Sequence, residues 1–224
     1  MRMICKEYGI NILLDENYIT ELLIESPNMF LPFMTKLWQQ YRGEEDFIIF
    51  SQFDKELHLD KVAEIVSDPF QIDVNNRKIL VKIYQNIVKE MQEKNLEQMW
   101  KLQSLMEKYV IEVCETSEFL LTYDANPDFI DLLKMYNVHV DNTEMDLVSR
   151  IIAYVKLSHR VLNTSLYIFV NLKSYFSNEI LEKLYQTLCY EKINILLIER
   201  YDRGALDLER RIIIDKDACV IYEK

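Results

Sequence analysis

The 224-residue chain contains only three glycines, Gly9, Gly43 and Gly204. An average usage of about 7% would give roughly sixteen. Three such widely separated glycines cannot form the phosphate-binding pattern G-x-x-x-x-G-K-[ST] or the dinucleotide pattern G-x-G-x-x-G. The G-x-S-x-G turn that carries the nucleophile of α/β-hydrolases is excluded for the same reason. The scarcity of glycine therefore excludes the nucleotide-binding and hydrolase classes that depend on these turns.

Cysteine pairs and long apolar runs are also missing. The four cysteines form no C-x-x-C pair and have no histidine nearby, a pattern typical of reduced cysteines in a cytoplasmic protein. No apolar run approaches ~20 residues, so no membrane-spanning segment is expected. Lys6 and Glu7 interrupt the apolar stretch that a signal peptide would need. These features predict a cytoplasmic protein without a membrane partner.

Basic residues are outnumbered, with 26 Lys and Arg against 37 Asp and Glu and a net charge of −11. Such an acidic balance disfavours nucleic acids and anionic membranes as default partners. The excess is uneven along the chain: residues 1–58 carry 5 basic and 10 acidic groups, and residues 59–139 carry 9 and 14. Residues 140–224 carry 12 and 13, so this third is nearly neutral and can present a basic face.

Strands and helices alternate at both ends of the chain. The sequence predicts strands at 11–15, 18–24, 47–50, 166–170, 193–198, 211–214 and 218–222. Helices are expected to begin at Ser26-Pro27, near residue 144 and at Ser177. Strand–helix–strand at this spacing is typical of a parallel βαβ unit, so both ends indicate an α/β fold.

The middle of the chain is helical instead. One apolar stripe covers residues 79–91 and a second covers 99–113, with the polar segment 93–95 between them. The two stripes are compatible with a helix hairpin or with one long helix, and both are interpreted as core. The predicted organisation is an α/β head with an inserted helical leg: residues 1–58 and 140–224 for the head, and 59–139 for the leg.

Lysines on the predicted leg helices have a spacing that forms stripes. Lys78, Lys82 and Lys89 fall on one helical face, with Arg77 adjacent. A row of lysines without glycine or aromatic residues suits contacts with phosphates that ignore base sequence. The alternative interpretation is a solvated helix face opposite the apolar stripe.

An acidic segment lies between Lys108 and Lys134, where no basic residue interrupts six carboxylates. They are Glu112, Glu115, Glu118, Asp124, Asp128 and Asp131. Residues 124–128 have the D-x-N-x-D spacing that begins a calcium loop, but Phe129 and Met135 replace the glycine and glutamate that complete an EF-hand. A hard divalent cation, calcium rather than magnesium, would relieve the repulsion between these carboxylates. The alternative is structural, with Asn126 as N-cap of a helix that begins at Pro127.

No catalytic motif is present. His58, His139 and His159 have no metal-ligand spacing to one another or to a cysteine, and no motif singles out a nucleophile or an acid–base pair. The sequence therefore predicts no catalytic residues.

The order of several segments resembles that of a known family. They are Asn11-Ile12-Leu13-Leu14-Asp15-Glu16, Ile72-Asp73-Val74-Asn75 followed by Ile79-Leu80, and Tyr167-Ile168-Phe169-Val170-Asn171 followed by a helix and Ile195-Leu196-Leu197-Ile198-Glu199. In this order and spacing, the chain resembles the small adaptation protein of type II-A CRISPR–Cas systems, the Csn-two family.

The resemblance implies a fold and a function. Its members have an α/β head related to P-loop ATPases but without working nucleotide motifs, and a helical leg inserted into that head. The resemblance implies a non-enzymatic homotetrameric ring that binds calcium and threads the ends of double-stranded DNA through a basic hole, without sequence preference. It also implies a role in spacer acquisition alongside the integrase subunits and the effector nuclease.

The resemblance also suggests site residues. The family's calcium-binding carboxylates fall in the acidic segment, so its implied metal ligands are Glu115, Glu118, Asp124, Asp128 and Asp131. For DNA, Lys55 and Lys61 are the first candidates and Lys78 and Lys82 the second. Two other functions stay open: a degenerate ATPase-like module that binds proteins, and a metal-dependent nuclease that uses the acidic segment.

Overall fold

The computed structural model describes residues 1–125 and 127–223, and these fall into two compact units. Unit 1 comprises Met1–Val74 and Asn142–Lys224, and unit 2 comprises Asn75–Asp141. The predicted boundary between residues 58 and 59 is wrong, because the chain passes from unit 1 to unit 2 between residues 74 and 75. Residues 63–66 form a strand that pairs with a strand of unit 1, which keeps them in that unit.

Strands and helices of the described residues follow one another in this order. The strands are β1 (Arg2–Cys5), β2 (Ile10–Leu13), β3 (Ile19–Ile24), β4 (Ile49–Gln52), β5 (Lys55–Leu57), β6 (Ala63–Val66), β7 (Leu166–Val170), β8 (Asn194–Glu199), β9 (Glu209–Ile214) and β10 (Val220–Glu223). The helices are α1 (Pro27–Tyr41), α2 (Leu59–Val62), α3 (Arg77–Lys94), α4 (Leu96–Thr116), α5 (Phe129–Met135), α6 (Leu147–Leu162) and α7 (Asn178–Tyr190). Short 3-10 turns occupy Pro69–Gln71 and Leu172–Ser174.

Two sheets form the framework of unit 1. The larger has the order β10-β9-β3-β8-β7-β6, in which only the β10–β9 pair is antiparallel. The smaller, β2-β1-β4-β5, is antiparallel. Strands β3 and β7 are buried along their whole length, which explains their near-continuous apolar sequences. The α/β fold class is therefore confirmed.

The connection between β3 and α1 shows what the shortage of glycine means in three dimensions. Only Glu25 and Ser26 separate the strand from the helix. A phosphate-binding loop needs several residues whose backbone N–H groups surround the anion, and here there is no length for such a loop. Pro27 begins the helix directly, and α1 buries Phe33 against Tyr8 and Phe47, with ring centroids 5.5 and 5.1 Å apart. The helix that follows β3 therefore contributes aromatic side chains to the core, and the short β3–α1 connection leaves no room for a phosphate-binding loop.

Unit 2 contains α3, α4 and α5. The helices α3 and α4 are separated by the single residue Asn95, whose φ of −135° breaks the helical path, and they contact each other. The polar segment thus marks a true break, and the single long helix is not formed. Asn75 closes the unit: its side chain accepts a hydrogen bond from Val140 N at 2.8 Å and donates to Val140 O at 2.9 Å.

Helix α5 begins two residues later than expected. Asn126, the expected N-cap, lies outside the described residues. The helix starts at Phe129, and Asp128 is its N-cap, with a side-chain oxygen that accepts a hydrogen bond from Ile130 N at 2.9 Å. Asp128 satisfies a backbone N–H that the helix itself leaves without a partner.

Candidate functional site

One face of α3 carries the basic residues of unit 2 that stand out most. No acidic residue occurs from Val74 to Lys89. Within this stretch, we define the α3 basic face as the lysines Lys78, Lys82 and Lys89 together with Arg77, which precedes Lys78 in the first turn; all four are exposed. Lys82 and Lys89 follow Lys78 by 4 and 11 residues, close to whole numbers of helical turns, so the three lysines share one side. The sequence-predicted stripe is therefore present.

The electrostatics of the α3 basic face differ from those of the paired lysines Lys94 and Lys101 in unit 2. Among the described residues, none of its four cations has a carboxylate within 4.0 Å, whereas Lys94 and Lys101 pair with Glu90 and Glu97 one turn away. The positive end of the α3 dipole lies at Asn76, whose side chain caps the helix at 3.1 Å from Ile79 N. Cations without local partners, near the positive end of a helix, favour an anionic ligand.

The two lysines ranked first for DNA have a different setting in unit 1. Lys55 begins β5 between Asp54 and Glu56, and Lys61 follows Asp60 in α2. Both side chains are exposed, and each has at least one acidic residue directly beside it in the sequence. A local excess of carboxylates repels phosphate, so these positions are less suited to DNA than the α3 basic face.

The acidic segment does not gather into a metal centre within one chain. Glu115 lies in the last turn of α4, while Glu118 and Asp124 lie between α4 and α5. Asp128 caps α5, and Asp131 forms an ion pair with Lys134 at 2.8 Å. In the part of the chain that the structure describes, no three His, Cys, Asp or Glu residues are grouped to hold a metal ion. Among the described residues the five predicted ligands are therefore not grouped within one copy, and calcium binding stays a prediction.

A second departure from the sequence interpretation is the apolar stripe of α4, which was expected to be core. Of its residues only Met99 is buried. The α4 apolar face remains exposed and consists of Leu102, Leu105, Met106, Tyr109, Val110 and Val113. The segment that follows adds exposed Phe119 and Leu120. A contiguous apolar surface of this kind marks an interaction site, because soluble monomers rarely leave one uncovered.

Unit 1 contains a buried ionic cluster that the sequence did not predict. The Lys173 ammonium is fully buried and lies 3.1 Å from the carboxylates of both Glu21 and Glu209. The same Glu21 oxygen accepts a hydrogen bond from Arg211 Nε at 2.8 Å. Glu199 accepts one from the backbone N–H of Lys173 at 3.0 Å. We call these five side chains the buried ionic cluster.

Burial shapes the acid–base chemistry of this cluster. Desolvation, with smaller contributions from neighbouring carboxylates, raises the pKa of Glu21 and raises that of Glu199 from 4.5 to about 7. A signal was present in the sequence, because Glu21 interrupts the apolar strand ITELLI and Glu199 ends the apolar strand NILLIE. What periodicity cannot supply is the position of Lys173, which reaches them from a separate turn.

Comparisons with known proteins agree with this architecture. The model of the family described as CRISPR-associated protein (Cas_Csn2) matches residues 40–218. The CRISPR-associated protein Csn2 of Streptococcus agalactiae is 24% identical over 211 residues, which cover 91% of this chain and 90% of that protein. The crystal structure of Stu0660 of Streptococcus thermophilus superposes with a TM-score of 0.52 at 12% identity, covering all of this chain and 76% of that one.

A more distant likeness is to cbiO1 from Clostridium perfringens, part of an ABC transporter complex, with a TM-score of 0.48, 13% identity and coverage of 95% and 79%. In the described residues, no helix is both long and apolar enough to cross a membrane. The family match extends over well more than half of the sequence. The chain therefore belongs to the CRISPR-associated Cas_Csn2 family.

Proposed function

We propose that this chain is a non-enzymatic protein that binds the ends of double-stranded DNA during CRISPR spacer acquisition, without sequence preference. The observation that supports this proposal most directly is the α3 basic face, four exposed cations without carboxylate partners among the described residues. In a chain of net charge −11, such a face is a specific feature and does not reflect general basicity.

The chemistry of the α3 basic face suits the DNA backbone. Lysine ammonium groups are point charges that contact phosphates without reading base edges. Binding by phosphate contacts releases counterions, so affinity falls steeply with salt. A protein that holds DNA in this way discriminates between molecules by shape, for example by the presence of an end, and not by sequence.

Assembly into a homotetrameric ring is part of the proposal. The α4 apolar face supplies the reason for association, since its residues become buried only against another surface. A second copy of the chain provides such a surface in a symmetric assembly. A ring gives the preference for ends a mechanical basis, because linear DNA can be threaded and a closed circle cannot. The CRISPR integrase subunits and the effector nuclease are the proposed protein partners.

No step of the proposed DNA binding uses calcium, because the described residues do not bring the five predicted ligands together within one copy. Calcium nevertheless enters the test: DNA binding is measured in chelator and again after Ca²⁺ is added. If the ring assembles through its apolar surfaces alone, the affinity for DNA is expected to be the same in chelator and in Ca²⁺.

The DNA proposal is tested with a double variant of the α3 basic face. Lys78→Ala with Lys82→Ala removes two phosphate contacts, so the slope of log affinity against log salt is expected to shrink by about 2. The affinity for duplexes of unrelated sequence is expected to fall by the same factor. The measurement is fluorescence anisotropy of a labelled linear duplex over a salt series, with an unlabelled closed circle of the same sequence as competitor.

The matched control is Lys94→Ala with Lys101→Ala, two exposed lysines of unit 2 that already have carboxylate partners. This control is expected to leave the salt slope unchanged. If it weakens binding as much as the α3 double variant does, the α3 basic face is not the site. Equal competition by the closed circle would contradict threading, and cleavage of DNA in Mg²⁺ would contradict a non-enzymatic role. A larger loss from Lys55→Ala with Lys61→Ala would restore the first sequence ranking.

A further inference from the structure

The buried ionic cluster holds more than the strands of its own sheet. It also binds residues 200–208, the connection between β8 and β9. Lys173 Nζ donates to Gly204 O at 2.9 Å, and a Glu209 oxygen accepts from Leu206 N at 2.7 Å. Arg211 Nη2 donates to Asp202 at 2.5 Å. Three residues in the central part of this exposed connection, at positions 202, 204 and 206, are therefore held by the same charged groups.

The composition of the cluster is unbalanced towards carboxylates. The charged and titratable groups that face one another come from six elements: Glu21 on β3, Lys173 in the 3-10 turn after β7, Tyr185 on α7, Glu199 on β8, Glu209 and Arg211 on β9, and Glu223 on β10, together with Asp202 and Arg203 in the connection. Of the buried members, three are carboxylic acids and two are cations. Arg203 binds the backbone carbonyls of Lys173 and Phe176 and no carboxylate.

One oxygen shows the imbalance directly. Glu21 Oε2 accepts hydrogen bonds from both Lys173 and Arg211. Glu21 Oε1, in contrast, is buried with no hydrogen-bond partner among the described residues. A buried carboxylate oxygen without a donor is costly, and a proton in the cluster relieves that cost. The five buried side chains are electrically neutral when one of the three acids is protonated, and the half-exposed carboxylates of Asp202 and Glu223, which also bind Arg211, add negative charge at the edge of the cluster.

We propose that the buried ionic cluster holds one proton at mildly acidic pH and acts as a proton-dependent latch, so that loss of the proton releases the connection 200–208 from the sheet. The proton passes between solvent and a carboxylate oxygen of the cluster, and no other group changes. Protonated, the cluster is neutral and the connection is held. Deprotonated, the cluster carries a buried negative charge that opening of the connection exposes to water.

The direction of the pH dependence follows from Glu199. Its pKa rises from 4.5 in solvent to about 7 in the fold, mainly because of desolvation. When the pKa of a carboxyl group is higher in the closed state than in solvent, its protonation stabilises the closed state. This contribution is complete at pH values below the pKa in solvent. That contribution is lost as the pH rises from 4.5 through about 7. The latch is therefore closed at mildly acidic pH and weakened at alkaline pH.

The connection that the latch controls begins at the carboxyl ends of the parallel strands. Arg200 N donates to Asn171 at 3.0 Å, and the Arg200 guanidinium lies 5.1 Å from the ring centroid of exposed Tyr201. The carboxyl edge is where open α/β sheets place their binding surfaces. Protonation of the cluster thus sets whether this Arg–Tyr surface is held in one arrangement.

Amide hydrogen exchange tests the latch at the amides it protects. The reporter in the connection is the N–H group of Leu206, which donates to Glu209, and the N–H group of Lys173, which donates to Glu199, reports on the cluster itself. After correction for the intrinsic exchange rate, their protection in the wild-type chain is expected to fall about a hundredfold from pH 5 to pH 8. In Glu199→Gln, which cannot ionise, the protection is expected to stay constant over this range.

The controls separate a local latch from a change in global stability. Glu16→Gln, an exposed carboxylate in the same unit, is expected to keep the wild-type profile. Amides of the buried strand β7 are expected to keep their protection while the reporters lose theirs. A flat wild-type profile, an unaltered profile in Glu199→Gln, or equal losses in β7 and the connection would each overturn the proposal.

Discussion

Replacing Lys173 with methionine is expected to destabilise unit 1 by about 3–5 kcal/mol at pH 8. Methionine fills a similar volume, so the loss is electrostatic and not a cavity effect. It leaves Glu21 and Glu209 buried with Arg211 as their remaining cation in the cluster, and an uncompensated buried charge costs far more than an ion pair gains. The measurement is urea denaturation followed by circular dichroism.

The pH dependence of this loss identifies its cause. Carboxylates without a cation can take up protons, so the destabilisation is expected to be smaller at pH 5 than at pH 8. The control is Lys36→Met, which removes a partly exposed lysine paired with Glu7 and is expected to change the unfolding midpoint far less than Lys173→Met does, because solvent screens surface ion pairs. The double variant Lys173→Met with Glu209→Gln is expected to recover part of the loss. An unchanged midpoint in Lys173→Met at pH 8 would contradict the assignment of Lys173 as the central cation.

The strands that the sequence predicts correctly are those with an apolar run of their own. Strands β3, β7 and β8 lie inside a parallel sheet, so both of their faces are apolar and the run is visible without any partner. Strand β6 has only the residues Ala63–Val66, and it is a strand because it pairs with β7 a hundred residues later. Such a pairing leaves no local periodicity to detect.

Strand β5 illustrates another limit. It follows β4 after a two-residue turn in which Phe53 and Asp54 both have positive φ, at 49° and 59°. Turns of this type usually carry glycine or asparagine, so the phenylalanine gives no turn signal. The chain forms the turn because pairing of β4 with β5 compensates for its local cost.

The candidate site shows the same division between local and spatial information. Helical spacing was sufficient to place Lys78 and Lys82 on one face. The sequence also contains the reason to rank them above Lys55, since Asp54 and Glu56 flank that lysine. Proximity in sequence suggested one metal centre in the acidic segment, whereas helix capping by Asp128 and the Asp131–Lys134 ion pair divide these carboxylates.

The α4 stripe shows what periodicity leaves undetermined. An amphipathic pattern establishes that a helix has an apolar side, but not whether the same chain covers it. In α4 that side stays exposed: Leu105 is 67% and Tyr109 is 68% accessible. The covering surface is then expected in another molecule, which makes the stripe a prediction about assembly.

Replacing Leu105 and Tyr109 together with aspartate is expected to convert the assembled protein into monomers. Burying one large apolar side chain contributes about 1.5–3 kcal/mol, so losing two raises the dissociation constant about a hundredfold or more. The aspartates add the cost of burying charge in the contact. Because both positions are exposed within the chain, its fold is expected to persist. Light scattering coupled to size exclusion measures the mass, and circular dichroism checks the helices.

The matched control is Leu31→Asp, an equally exposed leucine on α1 of unit 1, which is expected to leave the mass unchanged. Running each variant in Ca²⁺ and in chelator separates the apolar contact from a metal-dependent one. If the wild type dissociates on chelation while the double aspartate variant stays assembled in Ca²⁺, then the metal holds the copies together and the α4 apolar face does not. If the wild type keeps its mass in both conditions and only the double variant dissociates, the apolar face is the assembly surface.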